Sequence, residues 1–84
     1  MTNKEILKKQ IIYRSMHRGT KEMDLLLGQF VEKHIDKLNV TELKDLEHLL
    51  FIEDEIISKW YFEKNTKNFI PNTRVSAMLK KFKL

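Results

Sequence analysis

Arg18-Gly19-x-x-Glu22, preceded by Tyr13-Arg14-Ser15-Met16-His17 and followed by Met23-Asp24, is the densest group of chemistry-bearing residues in this 84-residue chain. Arg14 and Arg18 are four apart, so on a helix they share a face and present two guanidinium forks suited to bidentate recognition of carboxylates. Gly19 can adopt a positive φ at little cost, which lets it close one helix and redirect the chain, and its missing Cβ permits close backbone approach. With Gly19 in the cap region, Glu22 falls in the first turn of the next helix, where its charge faces unpaired N–H groups and the positive dipole end. If Gly19 is the N-cap, Glu22 stands at N3 and completes a capping box. Spacing by itself therefore favours a well-made helix corner over a binding site. Asp24 and Glu22 are two apart and point to different faces, which argues against a paired acid and base.

No other group competes with that stretch. His17, His34 and His48 lack the i, i+4 spacing with an adjacent glutamate that zinc hydrolases use, so a metal site is not expected. His17, next to Arg18, also suits a helix C-terminal cation. The chain contains no cysteine, which removes disulfides, thiolate ligands and a thiol nucleophile. No glycine-rich loop is present to cradle a phosphate, and the Trp60-Tyr61-Phe62 cluster reads as packing. Without a catalytic constellation, the expectation is a binding protein and not an enzyme.

The length and the 42% hydrophobic content suit one small domain with a core over about residues 3 to 82. No apolar run reaches the ~20 residues of a membrane span, and Met1-Thr2-Asn3-Lys4-Glu5 has neither a secretory core nor an arginine-rich presequence, so a cytoplasmic protein is expected. The net charge of +4 is segregated. Residues 1 to 21 are basic, residues 40 to 58 are acidic and the tail from Lys59 is basic again, a distribution that can orient a macromolecular partner.

Apolar residues recur at helical spacing, and two glycines and one proline punctuate the chain, so the sequence predicts an all-α fold, a small bundle of five helices. Thr2-x-x-Glu5 marks the first start, with Ile6, Leu7, Ile11, Ile12, Tyr13 and Met16 as a broad buried stripe. The second helix runs from about residue 20 to 36 or 37, with Met23, Leu26, Leu27, Phe30, Val31 and His34 or Ile35 inward. Asn39-x-x-Glu42 opens a third, carrying Leu43, Leu46, Leu49 and Leu50. A fourth spans about 54 to 63 with Ile56, Ile57, Trp60 and Tyr61 facing the others. Residues 65 to 72 read as a polar loop pinned at Phe69-Ile70-Pro71, and a fifth helix opens at Asn72 or Thr73 with Val75, Met78, Leu79 and Phe82.

The block from Tyr13 to Phe30, with Arg18-Gly19-x-x-Glu22-Met23-Asp24-Leu25 and Leu26-Leu27-Gly28-x-Phe30, resembles the signature of the SdhE-type FAD assembly factors of succinate dehydrogenase. Glu42, Leu49-Leu50, Asp54 and Trp60 continue the similarity, which covers most of residues 6 to 62. The chain departs from the family at residues 51 to 57, where an acidic, proline-containing turn is usual, and the departure points to a longer or less sharply broken helix here. The resemblance implies an assembly factor that binds the flavoprotein subunit of succinate dehydrogenase, with fumarate reductase as a second candidate client. It would promote covalent FAD attachment, hold no cofactor stably itself and be monomeric when free. In that reading Arg18 and Glu22 contact the client, Gly19 permits close approach, and Tyr13, Arg14, His17, Thr20 and Asp24 support the patch, all on an outward charged surface. The rival readings are a small basic helical module binding nucleic acid, suggested by the sequence pI of about 9.4, and a toxin-neutralising interaction protein.

Overall fold

In a computed structural model of the chain, which describes residues 2–63 and 70–83, the apolar repeats become five α-helices: α1 (Asn3–Met16), α2 (Lys21–His34), α3 (Val40–Leu50), α4 (Asp54–Phe62) and α5 (Arg74–Lys81). A 3-10 turn, Ile35–Lys37, finishes the second helical run. No strand occurs among the described residues. The helix starts are set by side chains, because the first N–H groups of a helix lack internal partners. Thr2 Oγ1 accepts from Glu5 N–H at 3.2 Å, and Thr20 Oγ1 accepts from Met23 N–H at 3.2 Å. Asn39 and Glu42 form the expected capping box, and Thr73 and Ser76 form a second, with Thr73 as the N-cap of α5. Of the loop expected over residues 65 to 72, residues 65–69, Phe69 among them, lie outside the described residues, while Ile70 is buried.

One core joins the elements. α1 packs on α2 and α3, and α3 packs on α5. Leu26, Leu27 and Phe30 of α2, Leu43 and Leu46 of α3, Ile57 of α4, and Val75 and Leu79 of α5 lose all solvent contact, each such burial contributing about 1.5 to 3 kcal/mol before entropic costs. Ile56, Trp60, Tyr61, Met78 and Phe82 pack on this core while only partly buried. The end of α5 is tied to α4 by Tyr61 Oη, which donates to the Phe82 carbonyl, and by Lys80 Nζ, which donates to the Trp60 carbonyl and lies 4.7 Å from the Trp60 ring centroid.

The broad buried stripe expected on α1 is not formed. Only Ile11 and Ser15 are buried, with Leu7 packed beside them, a narrow seam at four-residue spacing. Successive helix residues are about 100° apart, so Ile6, Ile12, Tyr13 and Met16 cannot share the face that carries Ile11. All four are exposed. Ile12 and Met16 instead edge a groove of about 400 Å³ between α1 and α2 whose lining includes Gly28, Val31 and Ile35.

Candidate functional site

The link between α1 and α2 is the corner that the spacing suggested, closed by different means. Gly19 does not take a positive φ, so its conformational freedom is not what turns the chain. Thr20, with extended backbone, is the N-cap of α2. Glu22 is thereby one position short of N3, and Met23 occupies the place a capping-box glutamate would need. Two carboxylates hold the link. Asp24, in the first turn of α2, reaches back so that its Oδ1 accepts from Arg18 N–H at 2.6 Å. Asp54, the first residue of α4, accepts from Gly19 N–H at 2.6 Å through Oδ2.

Arg18 departs most from expectation. It was expected to face outward beside Arg14; instead its side chain is 9% exposed and its guanidinium points into the junction between α3 and α4. Nε and Nη2 both lie 2.6 Å from Asp54 Oδ1, Nη2 also donates to the Ile52 carbonyl at 2.8 Å, and Nη1 donates to the Leu50 carbonyl. The reason is electrostatic and topological. Leu50 ends α3, where orphan carbonyls and the negative dipole end favour a cation, while Asp54 opens α4, where the positive end favours an anion. A planar fork with five donors satisfies all three acceptors at once, which an ammonium cannot do from one point. The same bonds explain why the chain breaks sharply between Leu50 and Asp54 although the family's usual proline is absent.

With Arg18 and Asp24 engaged internally, the outward face is made by other residues. Tyr13 is 63% exposed and stacks on His17, with ring centroids 4.0 Å apart and planes 20° from parallel. His17 Nδ1–H donates to the Tyr13 carbonyl at 2.7 Å, closing the end of α1. The Arg14 guanidinium carbon lies 4.1 Å from the centroid of the Phe51 ring, and Phe51 is 59% exposed. Thr20 and Glu22 are exposed, and the Glu22 carboxylate makes no hydrogen bond or ion pair among the described residues. Thus Tyr13, Arg14, His17, Thr20 and Glu22 line an accessible surface, whereas Arg18, the Gly19 amide and Asp24 form the frame beneath it.

Sequence reasoning missed two parts of this site. Asp54 appeared only as a point of resemblance, yet it is the counter-ion of the signature arginine; an arginine beside a helix end and an acid at the next helix start were the available signals. Phe51 lay in the departing segment, where an exposed phenyl ring has no periodicity to reveal it. Among the described residues no cluster of His, Cys, Asp or Glu is arranged to hold a metal ion, and no helix is long and apolar enough to cross a membrane.

Comparison with known proteins bears on the same residues. Residues 9–83 match the family described as flavinator of succinate dehydrogenase. The FAD assembly factor SdhE of Acetobacter pasteurianus is 32% identical over 74 residues, covering 88% of this chain and 65% of that protein. The mitochondrial succinate dehydrogenase assembly factor 2 of Dictyostelium discoideum is 42% identical over 60 residues, 71% of this chain and 43% of that one, and its Arabidopsis thaliana counterpart 36% over 62 residues, 74% and 33%. This chain therefore spans from a third to just under two thirds of the length of these relatives. No solved structure gives a significant match. An all-α fold whose Arg18-Gly19-x-x-Glu22 corner lies within a match over residues 9–83 places the chain in the succinate dehydrogenase flavinator family.

Proposed function

We propose that this chain is an assembly factor that binds the flavoprotein subunit of succinate dehydrogenase and promotes covalent attachment of its FAD. The observation that carries the reading is the coincidence of the family match with an accessible surface of recognition groups, the Tyr13–His17 stack, the Arg14–Phe51 pair and the Glu22 carboxylate, on a frame fixed by Arg18. Attachment requires the flavin methyl carbon to lose a proton and bond to a histidine nitrogen of the client, which gives up its own proton. The electron pair of the broken C–H bond passes into the ring system, which carries the negative charge and is then reoxidised by an external two-electron acceptor, so the step is limited by alignment and charge stabilisation. The chain acts without catalytic groups of its own by holding the client in the arrangement that brings those atoms together. Stabilising that arrangement by about 2.8 kcal/mol raises its relative weight about a hundredfold.

In this reading the chain is monomeric when free, works in the cytoplasm and retains no flavin, and fumarate reductase is a second client. The comparisons lend no support to the nucleic-acid or toxin-neutralising readings. The test is in-gel fluorescence of covalent flavin on apo-flavoprotein incubated with FAD, with and without the chain. Glu22→Ala and Tyr13→Ala are expected to lower flavinylation at least about tenfold while lowering the melting temperature by less than about 8 °C, since both side chains are exposed and the dipole contact of Glu22 contributes only about 0.3 to 1 kcal/mol. Wild-type flavinylation by both variants refutes the assigned surface, and no stimulation by the unmutated chain refutes the function.

A further inference from the structure

Resting on the flavoprotein-assembly reading, we infer that Asp54 is the positioning residue of this site, and that Arg18 and Gly19 serve the client complex through their bonds to its carboxylate and not by touching the client. The two signature residues converge on one group from the start of α4: Oδ1 takes the Arg18 fork and Oδ2 takes the Gly19 N–H, all at 2.6 Å. Each guanidinium nitrogen already has an internal acceptor, so no fork remains for a carboxylate of the partner. The Gly19 amide is likewise committed. A Cβ at that position would stand 3.2 Å from Asp54 Oδ2, tight enough that the carboxylate must shift by a few tenths of an ångström and strain its hydrogen bond from the Gly19 N–H. The glycine is thus explained by the approach of Asp54, with no positive φ and no approaching partner required.

The consequence for function is geometric. Asp54 is fixed at the junction that also bears Phe51, while residues 18 and 19 join the end of α1, which bears Tyr13 and His17, to the start of α2, which bears Glu22. Together with the packing of α1 on α3 and the Arg18 bonds to the Leu50 and Ile52 carbonyls, this carboxylate therefore helps to set the position of the Tyr13–His17 stack and Glu22 relative to Phe51. A recognition surface contributed by separate elements loses affinity when those elements shift, because a partner must then hold them in place.

A double-mutant cycle tests this with Gly19→Ala, Asp54→Ser and the double variant, each assayed for flavinylation rate against client concentration and for thermal unfolding. Serine clears the space beside residue 19 and keeps a hydroxyl near Arg18. Gly19→Ala is expected to raise the half-saturating client concentration about tenfold in the unmutated background, with an unchanged maximal rate, and by less than about twofold in the Asp54→Ser background. The same factor in both backgrounds overturns the inference, since a glycine that touches the client is indifferent to Asp54. If Asp54→Ser melts below the assay temperature, Asp54→Asn replaces it; the asparagine keeps one acceptor for Arg18, and a half-saturating concentration equal to wild type overturns the inference. Failure of the functional reading looks different, because the unmutated chain then leaves flavinylation at its level without the chain.

Discussion

Replacing Arg18 with alanine removes a 9%-exposed guanidinium that holds three acceptors, the Asp54 carboxylate and the Leu50 and Ile52 carbonyls. The alanine variant leaves Asp54 facing the corner with the Gly19 N–H as its remaining internal donor, and it leaves two carbonyls at the helix junction without their cation. Breaking a buried ion pair from one side costs about 3 to 5 kcal/mol, mostly through the charge left behind. A domain of this size has about 4 to 13 kcal/mol of stability in total, so the loss removes a large part of it. At about 4 to 8 °C per kcal/mol for domains of 60 to 100 residues, the melting temperature should fall by about 12 °C or more. Arg18→Lys keeps a positive charge near Asp54 but not the fork, and should fall between the alanine variant and wild type. Thermal unfolding followed by circular dichroism at 222 nm decides the matter. A melting temperature for Arg18→Ala within about 3 °C of wild type refutes the internal placement of the guanidinium and returns Arg18 to the outward surface.

Gly28→Ala should stabilise the chain by about 0.5 to 1 kcal/mol, because a Cβ in the middle of α2 meets Ser15 O at 3.9 Å and Met16 Cγ at 4.0 Å, ordinary contacts, while a helix-interior glycine is costly; a lowered melting temperature would contradict this. The pKa of His34, packed against the Phe30 and Phe82 rings, is lowered by burial first and then by the charges of Lys33 and Lys37. Folding therefore favours the neutral imidazole: the contribution is fully present above the unfolded value of about 6.5 and is lost as pH falls through the lowered folded value. Melting temperatures measured from about pH 8 to pH 5 should decline on the acid side, and His34→Gln should reduce that decline; an identical profile for the variant rules out the histidine as its source.

The parts of the fold that were legible in the sequence share a local cause. Asn39-x-x-Glu42 predicted a start that the capping box realises, and the leucines at 43, 46, 49 and 50 are buried together because one helix face carries all of them. The first helix misled for the opposite reason. Ile6, Ile12, Tyr13 and Met16 satisfy a loose helical pattern, but only tertiary packing decides which sector of a helix turns inward, and Leu7, Ile11 and Ser15 won that position. The corner shows the same division. Its existence could be read from Gly19 and the flanking helices, whereas its mechanism depends on Asp54, 36 residues beyond Arg18, and on two carbonyls whose availability is set by where α3 stops. A short signature of charged residues records which groups are needed, not whether they face a partner or each other. Here the arginine and the carboxylate of Asp54 face each other, and the glutamate is left outside. Substitutions of Arg18 and Glu22 should therefore separate experimentally: the first lowers stability and function together, while the second lowers function with only the small stability loss of one helix-dipole contact.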